Sequence, residues 1–103
     1  MMPIEHDAFY SLLGIAQRAR VLTFGQDGVL GAISSGAARL VLLDDGASEN
    51  TKKRICDSCR YYGVEVFLTQ KDRLGLAVGR PGRMCAAVAA GTLGDRLYEL
   101  AGK

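Results

Sequence analysis

The stretch LVLLDDGASENTKKR, residues 40–54, decides the fold of this chain. Its opening residues 40–43 are all apolar, which predicts a buried β-strand, and two aspartates and a glycine end that strand. Ser48 is then placed to cap a helix that carries Lys52, Lys53 and Arg54 near its start. Ligands of open α/β proteins collect at the carboxyl ends of strands, so a basic helix start at such a point predicts an anion site, with phosphate as the leading candidate.

Length and composition indicate one independently folding domain that spans residues 1–103. A chain of 103 residues buries roughly two-thirds of the surface that its unfolded form exposes, which is enough for a hydrophobic core. No apolar run approaches the ~20 residues of a membrane span. The acidic N-terminal sequence lacks the cationic head and long apolar block of a secretory signal. We therefore expect a cytoplasmic protein that does not contact a membrane.

Hydrophobic spacing and turn residues predict helices that alternate with strands along the whole chain. The helices are expected to start at Asp7, Asp27, Ser48, Thr69 and Thr92, and the strands to cover residues 21–24, 40–43, 64–68 and 84–89. Asp7, Asp27 and Ser48 are the predicted N-caps, and Thr92 opens a predicted capping box. This order, with its short connections, predicts an α/β protein whose sheet lies between helical layers.

Two positions within these helices carry packing predictions. Gly14 in the first helix costs about 1 kcal/mol relative to alanine, so we expect another element to pack closely against it. Gly63 is the predicted end of the third helix. The inner face of that helix is predicted to consist of Thr51, Ile55, Cys59 and Tyr62.

The sequence offers little support for an enzyme. Its single histidine, His6, lies near the N-terminus, where a solvated residue in a frayed first turn is the expected role. The glycine turn at residues 25–28 lacks the Lys-Ser/Thr pair that follows the glycines of a P-loop. We therefore expect no catalysis, no cofactor and no small-molecule substrate.

Cys56 and Cys59 form a CxxC motif, which invites a redox or a zinc hypothesis. The pair lies about two turns into the third helix, whereas a redox pair sits at a helix start, where the dipole lowers the thiol pKa. Only Cys85 and His6 remain as further zinc ligands, and both are distant in sequence. We expect Cys59 to be a buried structural thiol and Cys56 to be incidental. An odd count of 3 cysteines indicates a reducing compartment.

The cations at the start of the third helix have two interpretations. A structural helix would prefer acids there to complement its dipole, so Lys52 and Lys53 indicate an anion site. The alternative is a solvated face that Glu49 and Asp57 partly neutralise. Glycine-rich residues 25–28 and the turn at residues 80–83 also lie at strand–helix junctions. We expect the three turns to meet at one end of the sheet in a cationic, glycine-lined cradle that binds without catalysing.

These residues also carry a resemblance to a known family. The segments are LLGIAQRAR (residues 12–20), SGAARLVLL (35–43), ASENTKKR (47–54), Leu74-Gly75 and Gly79. Together they resemble the bacterial YlxQ proteins of the ribosomal-protein superfamily that binds kink-turn RNA, and the likeness extends over nearly the whole chain. It implies a three-layer α/β/α sandwich with a four-stranded mixed sheet and no enzymatic activity. It further implies an RNA site built from the starts of the second and third helices and the loop after the fourth.

The resemblance also implies roles for individual residues at the second helix. Gly25 opens that helix. Asp27 and Gly28 occupy the positions of an Asn-Glu pair that reads sheared G·A pairs in archaeal ribosomal members, and Gly31 occupies the position of a lysine. None of these three side chains is kept, and an aspartate repels phosphates. The resemblance therefore supports recognition of backbone and shape rather than base-specific readout.

The remaining implied contacts come from the third helix onward. Lys52 corresponds to a contact near the start of that helix, Lys71 to a phosphate-contacting lysine, and residues 80–82 to the loop that holds a flipped-out base. The full set of predicted RNA-binding residues is Gly25, Gln26, Asp27, Gly28, Lys52, Lys53, Lys71, Arg80, Pro81, Gly82 and Arg83.

Two functional hypotheses follow. The first is a monomeric, non-catalytic RNA-binding protein that recognises a structured, kink-turn-like RNA, with ribosomal RNA as a candidate partner. The second is a protein-interaction module of the translation machinery that kept the fold after losing its base-reading residues. Salt-dependent binding to a kink-turn RNA separates the two hypotheses.

Overall fold

A four-stranded mixed β-sheet lies between two layers of helices in the structure, a computed structural model that describes residues 2–103. The chain therefore forms the three-layer α/β/α sandwich that the resemblance implies. In chain order the helices are α1 (Asp7–Arg18), α2 (Gln26–Ser35), α3 (Glu49–Tyr62), α4 (Arg73–Val78) and α5 (Thr92–Ala101). The strands are β1 (Leu22–Phe24), β2 (Ala38–Asp44), β3 (Val66–Thr69) and β4 (Cys85–Ala89).

The strand order β1-β4-β2-β3 brings several connections to one end of the sheet. β2 runs parallel to β3 and antiparallel to β4, and β1 is antiparallel to β4. Phe24 pairs with Ala86, and Asp44 pairs with Thr69, so β1, β2 and β3 all finish where β4 begins. We call this the upper end of the sheet. It carries the β1–α2, β2–α3, β3–α4 and α4–β4 connections.

β2 is covered by helices on both faces, which explains why its sequence is a continuous apolar run. Leu40 and Leu42 are 0% exposed and pack with residues of α1, α4 and α5. Val41 and Leu43 face the other way and pack with residues of α2 and α3. The predicted buried strand is confirmed, and it separates two hydrophobic cores. No helix among residues 2–103 combines the length and apolar character needed to cross a lipid bilayer.

Both ends of α3 follow the sequence prediction. Ser48 is the N-cap, and its hydroxyl oxygen accepts a hydrogen bond of 3.1 Å from the Thr51 amide. Gly63 ends the helix with a φ of 72°, in the left-handed region that glycine adopts without steric cost. The position of α3 is therefore fixed by local sequence at both termini.

The packing predictions are confirmed for Gly14, Ile55 and Cys59, whereas Thr51 is only half-buried. A Cβ added at Gly14 would lie 3.1 Å from the carbonyl oxygen of Ala77, so α4 does pack closely against α1 there. Ile55 and Cys59 of α3 are buried as predicted. Tyr62 was wrongly assigned to the inner face: it is 49% exposed, and its ring packs edge-on against a neighbouring tyrosine outside the core.

The predicted N-caps of the first two helices are wrong. α2 begins at Gln26, and its N-cap is Gly25, whose φ of 84° suits glycine. Asp27 therefore lies within the first turn of α2, where a negative charge still complements the helix dipole. In α1, Asp7 is the first helical residue and His6 is the N-cap.

The predicted starts of the last two helices also need correction. α4 begins at Arg73 rather than Thr69, because Thr69 is the last residue of β3 and is fully buried. β3 itself begins at Val66, two residues later than predicted. The N-cap of α5 is Gly91, and within residues 2–103 this helix start has no side-chain capping hydrogen bond. Thr92 therefore does not form the predicted capping box.

Candidate functional site

The first turns of α2 and α3 meet at the upper end of the sheet. α2 begins there at Gln26 and α3 begins there after Ser48. The Thr51 hydroxyl donates a hydrogen bond of 3.1 Å to Gln26 Oε1, which joins the two helix starts. Gly25, directly before α2, is exposed. The structure therefore confirms that the first turns of α2 and α3 lie next to each other, as predicted.

Asp44 ties two connections of the upper end together, a role that the sequence analysis missed. Its side chain, at the end of β2, is fully buried. Asp44 Oδ1 accepts hydrogen bonds from the Thr69 hydroxyl at 3.2 Å and from the Leu74 amide at 3.3 Å. Asp44 Oδ2 accepts from the amides of Gly46 at 2.9 Å and Asp72 at 2.8 Å. The carboxylate thereby holds the β2–α3 and β3–α4 connections in a fixed relation.

Tyr10 holds the β3–α4 connection from the α1 side. Its hydroxyl donates a hydrogen bond of 2.6 Å to the Ile4 carbonyl oxygen and accepts one of 2.9 Å from the Gln70 amide. Burial raises the pKa of this hydroxyl, which keeps it protonated as a donor. The Arg73 guanidinium lies 3.8 Å from the centroid of the Tyr10 ring. The connection that carries Lys71 is therefore anchored on both sides.

Carboxylates partly neutralise the cationic start of α3. Lys52 Nζ lies 3.3 Å from Asp45 Oδ1 and 3.8 Å from Glu49 Oε1. Glu49 is one of the two acids expected to neutralise this face. Asp57, the other, instead pairs with Arg60 at 3.7 Å. Lys52 is thus the least available of the predicted phosphate-binding cations.

Other cations near the start of α3 are more available to bind an anion than Lys52 is. Lys53 and Arg54 are exposed, and no carboxylate oxygen of residues 2–103 lies within 4.0 Å of their nitrogens. Lys71 is also exposed and lies against the neighbouring connection. A Cβ added at Gly46 would lie 3.2 Å from Lys71 Cγ. Together with the exposed Arg80 of the α4–β4 connection, Lys53, Arg54 and Lys71 therefore carry most of the available positive charge of the upper end.

The α4–β4 connection, residues 79–84, forms one wall of a small cleft. A Cβ added at Gly75 would lie 2.8 Å from the carbonyl oxygen of Arg80, so this close approach requires glycine. Leu76 is 75% exposed and gives the cleft an apolar rim. Arg83 lies at the far end of the connection, with its guanidinium 5.1 Å from the centroid of the Phe24 ring. The cleft has a volume of about 320 Å³ and is lined by Asp72, Leu76, Pro81 and Gly82.

The exposed first turn of α2 presents a carboxylate and bare backbone. Asp27 and Gly28 are both exposed. A Cβ added at Gly28 would lie 3.0 Å from Thr23 Cγ2, so a larger residue there requires Thr23 to move. A Cβ added at Gly31 would meet no atom of the described residues 2–103 within 4 Å. This turn can accept hydrogen bonds through Asp27 and can be approached closely at its glycines.

The upper end combines helix-start amides, exposed cations and an apolar cleft. Amides and cations bind anions, and an apolar cleft accepts a flat or aliphatic group. Among residues 2–103, no group of three His, Cys, Asp or Glu side chains is placed to hold a metal ion. His6 makes its contact at the chain terminus, where its Nε2 lies 3.2 Å from the Lys103 carbonyl oxygen.

The CxxC cysteines lie in the body of α3. Cys59 is 1% exposed and Cys56 is half-buried, and both thiols are free. The expected burial of Cys59 is confirmed. Burial, with a smaller contribution from the neighbouring Cys56 thiol, raises the pKa of Cys59 to about 11.

The raised pKa of Cys59 predicts a loss of stability in alkali. An unfolded thiol titrates near 9.0 and the folded one near 11, so the unfolded state loses its proton first. The stabilising contribution is therefore complete below pH 9 and is lost as the pH rises through 11. We expect the free-energy advantage of the native chain over Cys59→Ala to fall by roughly 2 to 3 kcal/mol across this interval. Urea unfolding of both proteins at several pH values measures it, and a constant difference would contradict the prediction.

Sequence comparison identifies relatives over most of the chain. A family model described as "Ribosomal protein L7Ae/L30e/S12e/Gadd45 family" matches residues 7–96. The RNA-binding protein YlxQ of Bacillus subtilis (strain 168) is 37% identical over 93 residues, which cover 89% of this chain and 93% of that protein. The RNA-binding protein YlxQ of Enterococcus faecium is 33% identical over 82 residues, which cover 79% and 80%.

Solved structures share the fold. A protein of unknown function from Bacillus halodurans C superposes with a TM-score of 0.88 at 32% identity and covers 95% of this chain and 100% of its own. The Giardia lamblia 15.5kD RNA binding protein superposes with a TM-score of 0.77 and covers 98% and 91%. At 21% identity, the second likeness establishes the fold alone.

Proposed function

Because the chain belongs to the ribosomal protein L7Ae/L30e/S12e/Gadd45 family, we propose that it is a non-catalytic RNA-binding protein. Two relatives that match most of the chain are named RNA-binding proteins, which supports the proposal. The proposed RNA is structured, contains a kink-turn-like internal loop and belongs to the ribosome. The observation that carries the proposal is the convergence of the α2 start, the α3 start and the α4–β4 connection at the upper end of the sheet.

The proposed phosphate contacts come from both side chains and backbone. Lys53, Arg54 and Lys71 are exposed cations at the upper end, and the N-terminal amides of α2 and α3 point toward the same region. Lys52 contributes less, because Asp45 and Glu49 lie within 4.0 Å of its ammonium group. Binding should therefore depend on the salt concentration, as expected for contacts to phosphates.

The apolar cleft beside α4 is the proposed site for a splayed-out base. Leu76 and Pro81 offer apolar surface to the face of a base, and Gly82 leaves room for its approach. A kinked internal loop supplies such an unstacked base, whereas a regular duplex does not. This difference predicts a preference for kinked over continuous helices.

Recognition of individual bases at α2 is proposed to be weak. Asp27 accepts hydrogen bonds but cannot donate them, and its negative charge opposes nearby phosphates. Gly28 and Gly31 offer no side chain. The closeness of a Gly28 Cβ to Thr23 Cγ2, 3.0 Å, also means that a larger residue would not fit without rearrangement. Shape and backbone contacts are therefore proposed to dominate.

Titration of the protein against matched RNAs tests this function. The panel contains a kinked internal loop, the same RNA with its G·A pairs replaced by Watson–Crick pairs, and a continuous duplex. Contacts to about four phosphates should make affinity fall roughly as the third power of salt concentration. The kinked RNA should bind tightest. If none of the RNAs binds at any salt concentration, the result would instead favour a protein-interaction module of the translation machinery.

Charge reversal at the start of α3 should weaken this binding. Lys52→Glu with Lys53→Glu removes two cations and places another carboxylate beside Asp45 and Glu49. We expect about tenfold or greater loss of affinity, and a salt slope smaller by roughly one to two units. Fluorescence anisotropy with the kinked RNA at two salt concentrations measures both quantities.

A matched control separates local contacts from net charge. Arg60→Glu with Arg96→Glu makes the same change in charge at exposed positions in the last turn of α3 and on α5. This control should keep its affinity within about twofold. Equal losses in the two double variants would mean that the start of α3 is not part of the RNA site.

A further inference from the structure

A cationic groove leaves the upper end of the sheet along the free edge of β1. It begins at Arg80 in the α4–β4 connection and reaches the C-terminal end of α1. β1 pairs only with β4 among the described strands, so its other edge is open to this groove. The groove, which we call the arginine groove, has a volume of about 600 Å³ and is lined by Gln17, Arg18, Arg20, Leu22, Phe24 and Arg80.

Local backbone geometry brings the first two arginines to this groove. Arg18 is the last residue of α1 and is exposed. Arg20 follows with a φ of 61°, a left-handed conformation that is unusual for a residue other than glycine. Its amide donates a hydrogen bond of 3.0 Å to the Gln17 carbonyl oxygen, which fixes this turn. Two guanidinium groups therefore stand at one end of the groove.

The arginines of the groove differ from several other cations of the chain in their ion pairing. Among residues 2–103, no carboxylate oxygen lies within 4.0 Å of a nitrogen of Arg18, Arg20 or Arg80. Several other cations of this chain do have such partners, as Lys52 has at the start of α3. Like charges gathered without counter-charges repel one another, and an anion bound among them relieves that repulsion. The arrangement suits an anionic ligand that offers more than one charge.

The floor of the groove is apolar and partly aromatic. Leu22 and Phe24 are half-buried, and both line the groove. The Arg83 guanidinium lies 5.1 Å from the centroid of the Phe24 ring, which extends the positive charge toward the upper end. Cationic walls with an aromatic floor are typical of surfaces that bind single-stranded nucleic acid, where arginines contact phosphates and bases stack below. A duplex keeps its bases inside and cannot use such a floor.

We propose that the arginine groove binds an unpaired RNA strand that continues outward from the kinked loop. This inference rests on the proposed function, because Arg80 belongs both to the groove and to the connection that forms the cleft for a splayed-out base. The RNA enters at Arg80, passes over Phe24 and Leu22, and ends its contacts at Arg20 and Arg18. The groove thereby adds affinity for RNAs in which an unpaired segment adjoins the kink.

Three RNAs with one common kinked loop test the groove. The first RNA has blunt stems. The second carries a short single-stranded tail beside the loop, placed on one strand or on the other. The third carries an extension of the same length in duplex form. The native chain should bind a tailed RNA roughly fivefold or more tightly than the blunt one. The duplex extension should add less than about twofold. Equal gains from tail and duplex, or no gain from either, would overturn the proposal.

Variants that remove groove charge complete the test. Arg18→Gln with Arg20→Gln should abolish the gain from the tail and leave affinity for the blunt RNA within about twofold. Arg60→Gln with Arg96→Gln, a matched change at exposed sites on α3 and α5, should retain the gain. Circular dichroism of each variant establishes that it is folded. Retention of the full gain in Arg18→Gln with Arg20→Gln would overturn the proposal.

The tail alone, measured without the kinked loop, distinguishes this inference from the proposed function. The native chain should bind the free tail weakly, and Arg18→Gln with Arg20→Gln should bind it at least threefold more weakly. If the blunt kinked RNA fails to bind while this difference persists, the proposed function is wrong and the groove assignment holds. If the kinked RNA binds and the tail makes no difference, the groove assignment is wrong and the proposed function holds.

Discussion

Replacing Asp44 with alanine is expected to lower the free energy of unfolding by about 3 to 5 kcal/mol. The carboxylate accepts four hydrogen bonds, three of them from the amides of Gly46, Asp72 and Leu74 and one from the Thr69 hydroxyl. Alanine removes the acceptor of all four donors, and the donors of Thr69 and Leu74 are buried where water does not replace it. Such a loss is a large share of the 5 to 15 kcal/mol that typically stabilises a domain.

Asp44→Ala should also weaken RNA binding, because it leaves the connections at the upper end less ordered. Without the Asp44 carboxylate, the β2–α3 and β3–α4 connections lose the side chain that joins them, and the Tyr10 hydroxyl still holds the second of them at Gln70. We therefore expect both connections to be less ordered in the free protein, so that RNA must order them on binding. We expect affinity for the kinked RNA to fall roughly fivefold or more, measured at a temperature where the variant is still folded. Asp44→Asn should be intermediate in stability, because its amide nitrogen cannot accept the bonds that one carboxylate oxygen accepts. A stable Asp44→Ala protein with unchanged affinity would contradict this role.

Leu42→Ala is the second substitution with a large expected effect. Leu42 is fully buried in the interior strand β2, where it packs with residues of α1, α4 and α5. Its truncation leaves a cavity in the core that the surrounding helices can fill only in part. We expect a loss of about 2 to 5 kcal/mol in the free energy of unfolding, measured by urea titration. A loss below about 1 kcal/mol would mean that this core can collapse around the missing side chain.

Leu42→Ala is also the control for Asp44→Ala. The two residues lie on the same face of β2, and both substitutions are expected to destabilise the protein by similar amounts. Only Asp44 contacts the connections of the upper end. Affinity for the kinked RNA should therefore stay within about twofold in folded Leu42→Ala. Equal weakening in the two variants would attribute the effect to stability and not to the geometry of the connections.

Much of the architecture follows from short-range signals in the sequence. The apolar run at residues 40–43 predicts a strand buried on both faces, and the two cores on either side of β2 confirm it. Ser48 and Gly63 predict both ends of α3 because capping is a local hydrogen-bond and conformational preference. The strand order, by contrast, depends on pairings between distant segments and is seen only in the structure, whereas the resemblance implied no more than a four-stranded mixed sheet.

Two of the wrong helix starts have different causes, a long-range contact at Thr69 and a competing local turn at Gly25. Thr69, at the end of β3, has the hydroxyl of a helix cap, but that hydroxyl instead donates to the buried carboxylate of Asp44, at the end of β2. Asp27 has the side chain of a cap, yet Gly25 already turns the chain with a φ of 84° and α2 begins earlier. Local propensity alone cannot rank these competing arrangements.

The alternation of side chains between the two faces of β2 was sufficient to predict the role of Asp44. Residues two apart in a strand face the same side, so Asp44 follows Leu40 and Leu42 toward one core. A carboxylate at a buried strand end needs donors, and the amides of the next connection are the nearest ones. The pairing of Lys52 with Asp45 was less accessible, because the two residues are brought together by the turn between β2 and α3.

The candidate site illustrates the same limit. Convergence of the turns could be expected from the alternation of strands and helices, and the register of β1, β2 and β4 confirms it. The availability of each cation could not be expected, because it depends on which carboxylates lie nearby. The arginine groove was missed for a related reason: Arg18 and Arg20 come from the end of α1, which only the tertiary fold brings near Arg80.

Backbone amide shifts during titration with a kinked RNA test the central claim most directly. The claim is that RNA binds where the β1–α2, β2–α3, β3–α4 and α4–β4 connections meet. The largest shifts in the protein NMR spectrum should then fall on residues 25–28, 48–54, 70–72 and 79–83. Small shifts are expected at Tyr61 and Tyr62, at the opposite end of α3. Tight binding with the largest shifts at those tyrosines, and none at the connections, would contradict the account.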